Sequence, residues 1–147
     1  MDFQECIQFA NSNSLCFLAT AEGDQPRVRT FLLWYADESG FYFSTLSPKA
    51  VSDQLKANPK VEICFIDQGE ELSAAKHMRV AGEIEMMDDP ALLQKVAKER
   101  AFLSDLAGQP VAPFFEVFRL QEGDVHFWQM TDLLKEHELE HLHFDAP

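Results

Sequence analysis

The chain has 147 residues, 25 of them acidic against 12 basic, for a formal net charge of −13. That length suits one domain with a full core, and 46% hydrophobic residues, including 13 Phe, argue against a disordered chain. The acid excess repels phosphate backbones and anionic lipid, which excludes nucleic acid and membrane surfaces as general partners.

Cys6, Cys16 and Cys64 stand far apart with no C-x-x-C pair, which reads as free thiols in a reducing compartment. The N-terminus carries no basic region followed by an apolar run, and no stretch approaches the ~18 apolar residues of a membrane span. A cytoplasmic location is expected.

Asp2 followed by Phe3, Ile7 and Ala10 at helical spacing predicts a short amphipathic helix over 2–12. The apolar run 15–20 predicts a strand, closed by turn residues 22–26. Residues 27–35 and 41–45 are two further strands, separated by 36–40, so the three suggest an antiparallel meander. Ser47-Pro48-Lys49 predicts a helix start with Ser47 as N-cap, and Asn58-Pro59 ends that helix. Strands follow at 60–67 and 77–87. Asp88-Asp89-Pro90 opens a helix of about 15 residues with Leu92, Val96, Leu103 and Leu106 turned inward. Strands 114–120 and 124–130 close the series, joined by a turn at Gln121-Glu122-Gly123. Residues 1–130 then form one domain, and 131–147 an acidic, histidine-containing, peripheral tail. The fold class is α+β, mainly antiparallel β with a few helices: a small barrel or half-open sheet.

Charge is not spread evenly. Residues 25–60 carry a net +2, and the rest of the chain −15. Arg27 and Arg29 leave the same face of one strand, and Lys49 lies where a helix begins. Helix N-termini attract anions through unpaired N–H groups. Arg29, Ser44, Thr45, Ser47 and Lys49 together read as an anion pocket, against the alternative of ordinary solvated charge. Cys16 and Cys64 read as inert core residues.

His137-Glu138-Leu139-Glu140-His141 is a literal H-E-x-x-H. A zinc protease would need a third ligand, and only six residues remain after His141. Incidental metal binding by His137, His141 and His143 is the better reading. Trp128 reads either as a core or interface residue or as a ring packed on a planar ligand.

The stretches GDQPRVRTF at 23–31, FYFSTLSPK at 41–49, LKANPKVEI at 55–63, MRVAGE at 78–83, FEVFRL and VHFWQ occur in a telling order. In that order the chain resembles the pyridoxamine 5′-phosphate oxidase-like FMN-binding split-barrel family, closest to its short general-stress and nitroimidazole-resistance members. The resemblance implies a split β-barrel and a homodimer with FMN at the subunit interface. It assigns the phosphate to Arg29, or alternatively Arg27, with Ser44, Thr45 and Lys49. It runs the backbone of Thr30 and Phe31 along the flavin ring and brings Trp128 from the partner subunit. His77 stands where the family has Gln or Trp. The arginine run that follows F-W-Q in genuine pyridoxamine phosphate oxidases is absent here, so vitamin B6 oxidation is not expected. The expected function is a small FMN oxidoreductase of unassigned substrate, with NAD(P)H a possible donor. The alternatives are a non-catalytic flavin or small-ligand sensor, and a haem- or deazaflavin-binding member with His77 or the tail histidines as haem candidates.

Overall fold

The computed structural model describes residues Met1–Pro147. Helix α1 spans Phe3–Ser12 and opens with a capping box in which Asp2 and Glu5 satisfy each other's backbone N–H. Its buried face is Cys6, Ile7 and Ala10; of the predicted Phe3, Ile7 and Ala10, Phe3 is half-buried against the same core. Eight strands follow: β1 (Leu15–Glu22), β2 (Gln25–Leu32), β3 (Tyr35–Asp37), β4 (Gly40–Leu46), β5 (Lys60–Asp67), β6 (Lys76–Met86), β7 (Phe115–Gln129) and β8 (Leu142–Asp145). Helix α2 covers Ala50–Ala57, and α3 (Pro90–Glu99) and α4 (Phe102–Ala107) lie between β6 and β7.

All strand pairs are antiparallel, in the order β2-β1-β5-β6-β7-β4-β3, with β8 added to β7. The α+β antiparallel architecture is therefore as expected, but the first strands do not form a meander. β2 and β3 stand at opposite ends of that order. The segment read as one strand over 27–35 breaks at Leu33-Trp34. Leu33 N–H donates to the Ser14 carbonyl and Trp34 N–H to the Tyr42 carbonyl, each at 2.9 Å. Those two bonds carry the chain from one end of the sheet to the other and bend it into a split barrel.

Three further readings are corrected. Gln121-Glu122-Gly123 is not a turn but the middle of the 15-residue β7, next to a register shift at Glu83/Ile84. Gly82 and Gly123 face each other there, where a Cβ on either would run into a backbone carbonyl. The single helix after Pro90 is two, broken at Arg100 and Ala101, and Leu106 is exposed. The end of the tail is not peripheral: β8 pairs with β7, and Phe144 is buried. The Phe144 ring stacks on Phe3 at 4.8 Å and meets Phe41 edge-on at 5.5 Å. Apolar burial of this kind is the main stabilising term of the barrel.

Candidate functional site

The cavity that collects most of the expected residues lies between β2, β4 and the α3–α4 break. Its volume is about 350 Å³, and seven of its twelve lining residues are apolar. β2 contributes Thr30 and Phe31, β4 contributes Ser44 and Thr45, and Lys49 closes the side next to α2. No carboxylate lines it.

The local sequence explains this placement. Alternation along β2 turns Phe31 inward, where it packs edge-on against Phe43 and Phe118. Lys49 sits 5.0 Å above the same ring as a cation–π contact. Ser47 is not the helix cap. Its N–H donates to the Phe114 carbonyl, and α2 begins after Lys49, which holds the N-cap position without a side-chain bond. The shift of two residues brings Lys49 into the cavity and leaves Ser47 outside its lining.

Arg29 adjoins the cavity without lining it. Its guanidinium donates to the Leu18 carbonyl at 3.2 Å, to Thr20 Oγ1 at 2.8 Å and to the Gln54 side-chain oxygen. Partial burial, then repulsion from Arg29, pulls the Lys49 ammonium below its ordinary range, so the two cations are close enough to feel each other. Arg27 is elsewhere: it is exposed and bonded to Glu22 at 2.9 Å.

His77 and Trp128 do not reach this cavity within one chain. They pair across β6 and β7 and stack on each other, ring centroids 5.1 Å apart. His77 Nε2 is buried without a hydrogen-bond partner. Burial, then Arg79, pulls the His77 ring below its ordinary range. The H-E-x-x-H segment is a single 3-10 turn, Glu136–Glu138, followed by extended chain. His141 stacks on His126 at 4.5 Å, so His137 and His141 share no α-helical face. Cys6 and Cys16 are buried, and burial pushes their thiols up to about 11 and about 12. They are inert at neutral pH.

The sequence reading missed Arg100, Phe102, Leu103 and Phe115, which complete the wall. Arg100 donates to Ser44 Oγ at 2.8 Å, and burial lowers its pKa from the ordinary value. A basic residue in the last turn of a helix is ordinarily solvated and favoured by the helix dipole, so nothing in the sequence marked it.

The donor set fits a phosphate-bearing flavin. Three hydroxyl residues (Thr30, Ser44 and Thr45), Lys49 and Arg100 line a cavity without acids, and Thr45 Oγ1 is buried with no partner inside the protein.

A family model described as pyridoxamine 5′-phosphate oxidase matches residues 3–129. Among solved structures, a NimC/NimA family protein from Clostridium acetobutylicum is 25% identical, with a TM-score of 0.70 over 96% of this chain and 90% of that one. A protein from Mesorhizobium loti described as FAD-binding is 23% identical, with a TM-score of 0.63 over 86% and 92% of the two chains. HutZ from Vibrio cholerae, described as a haem storage protein, is 22% identical, with a TM-score of 0.60 over 80% and 87%. Among curated proteins none matches the chain. These neighbours share the fold, and the chain belongs to the pyridoxamine 5′-phosphate oxidase family of split barrels.

Proposed function

We propose that the protein is an FMN-binding flavoprotein, a small oxidoreductase that works as a homodimer and takes electrons from NAD(P)H. The observation that carries this reading is the acid-free cavity itself. In a chain of net charge −13, Lys49, Ser44, Thr45 and the adjoining Arg29 gather where no carboxylate stands. Such a set suits a phosphate monoester, held by charge-assisted hydrogen bonds. Bound flavin supplies hydride chemistry of its own. The chain's part is to hold the phosphate through Lys49 and the β4 hydroxyls and to exclude water with Phe31 and Phe115.

The dimer is supported by the outer face of β1 and β2. Leu15, Phe17, Val28 and Leu32 are 59%, 41%, 69% and 47% exposed, and Leu15 pairs directly with Leu32. An apolar strip beside the cavity suits a second copy of the chain, which would also bring Trp128 towards the flavin. The three free cysteines support a reducing compartment, hence the cytoplasm. No helix is long and apolar enough to cross a membrane. Vitamin B6 oxidation is not proposed, because no arginine follows Arg119 in the sequence.

A haem-binding reading has one observation in its favour, the buried, unpartnered His77 Nε2. It lies outside the cavity, and His77 is stacked on Trp128, so the flavin reading leads.

The absorbance spectrum of purified protein, before and after adding FMN, tests the proposal. Flavin bands that bleach with NADPH and return with an acceptor support an oxidoreductase. Bands that do not bleach identify a flavin carrier or sensor. A Soret band on adding haem, with no FMN uptake, overturns the flavin reading.

A further inference from the structure

We propose that Gln54 positions Arg29 at the anion site as a neutral acceptor, holding the guanidinium in place without cancelling its charge. The inference rests on the flavin reading above and concerns how that site keeps a cation ready for the phosphate. Gln54 projects from α2 and is 6% exposed. Its side-chain oxygen accepts from Arg29 Nη2 and, at 2.6 Å, from Thr20 Oγ1. Thr20 Oγ1 in turn accepts from Arg29 Nη1 at 2.8 Å, so the three side chains close a ring. The Arg29 Nε–H takes no part in it, which leaves a donor for an incoming anion.

The amide has one workable orientation. Its Nε2 donates to Glu22 Oε2 at 3.2 Å, and a carboxylate only accepts, so the amide oxygen must face Arg29. Glu22 also takes Arg27 at 2.9 Å. A negative charge thus stands one side chain away from Arg29, with the Gln54 amide between them.

A carboxylate in that place would hold the arginine more strongly. Arg27, Arg79 and Arg119 each have one, in Glu22, Glu62 and Glu85. Such charge-assisted bonds are about twice as strong as neutral ones. A carboxylate at Arg29, however, would offset the charge that a phosphate needs. A buried amide also costs free energy that an apolar side chain on the same helix face would avoid. Keeping Arg29 fixed and uncancelled accounts for the amide. That charge is felt at the cavity wall, where repulsion from Arg29 follows burial in lowering the Lys49 ammonium from its ordinary range.

Exchanging the two groups tests this directly. Glu22→Gln together with Gln54→Glu keeps the net charge and a hydrogen bond between the two positions, and brings the negative charge against Arg29. FMN and riboflavin, which lacks the phosphate, are the probes, with dissociation constants read from quenching of flavin fluorescence. The exchange should weaken FMN about tenfold or more and leave riboflavin within about threefold. Gln54→Met keeps every charge but removes the acceptor, and should weaken FMN by only about threefold. It carries the test if the exchanged protein melts early. FMN affinity unchanged in either variant overturns the proposal, as does equal loss in both, since the place of the charge would then be immaterial. Parallel loss of riboflavin also overturns it, because the amide would then only support the fold.

Inorganic phosphate, followed by phosphorus NMR on flavin-free protein, separates this proposal from the flavin reading. FMN uptake with the same constant in every variant overturns this proposal alone. Phosphate binding that the exchange abolishes, with no FMN uptake by the wild type, overturns the flavin reading alone.

Discussion

Arg100 donates a 2.8 Å hydrogen bond to the hydroxyl of Ser44, from a residue 56 positions later in the chain. Ser44 comes from the β4 end that the sequence marks, and Arg100 from a helix break that it does not. The bond ties the α3–α4 corner to the strand that supplies the cavity hydroxyls. It also fixes where the third cation stands.

Lys49 and Arg29 should carry FMN affinity together. Arg29→Ala with Lys49→Ala is expected to raise the FMN dissociation constant about tenfold or more, measured by quenching of flavin fluorescence. An unchanged constant would remove both residues from the phosphate site.

Lys49 gives that affinity a pH dependence. Partial burial, then Arg29, holds its ammonium below the ordinary 10.5. The cation is the binding form, so affinity should fall on the alkaline side as pH rises through the lowered value. Lys49→Arg, which stays charged, should hold its affinity to higher pH in the same titration.

Phe144 should behave as core despite its place near the C-terminus. It is 5% exposed and stacked on Phe3 at 4.8 Å. Phe144→Ala should cost about 3–5 kcal/mol of unfolding free energy in a urea titration. A loss under about 1 kcal/mol would mean that β8 is only loosely attached.

Gly82 and Gly123 should tolerate no side chain. A Cβ on Gly82 would collide with the Glu122 carbonyl. Gly82→Ala is expected to destabilise the fold by about 1–3 kcal/mol, read as a lowered denaturation midpoint at unchanged slope.

His77 should make the fold weaker in acid. Burial, then Arg79, lowers its folded pKa from 6.5, so the unfolded chain takes up this proton first. The histidine's contribution is complete above about pH 6.5 and is lost as pH falls from there towards the lowered folded value. His77→Gln should flatten stability between pH 7 and 5 relative to wild type. Identical slopes would show that His77 takes up its proton equally in both states.

The strand segments were legible because alternation along β1 and β5 shows directly which side faces a core. Gly123 misled for a physical reason. A glycine between two apolar runs signals a turn, but here it lets two backbones approach, and β7 continues through it. The helix break at Arg100 was equally hidden, since apolar spacing runs on across it from Val96 to Leu103.

The sequence by itself determined the class of fold and the island of positive charge, because both follow from local spacing and composition. It also placed Ser44, Thr45 and Lys49 in one neighbourhood, since only a few residues separate them. Which arginines stand at the cavity was decided by the tertiary structure. Arg27 turns to Glu22, Arg29 is bonded to Gln54, and Arg100 arrives from beyond β6 to take the open place. Pairings of that kind depend on which strands the split barrel brings together, and distance along the chain carries no information about them.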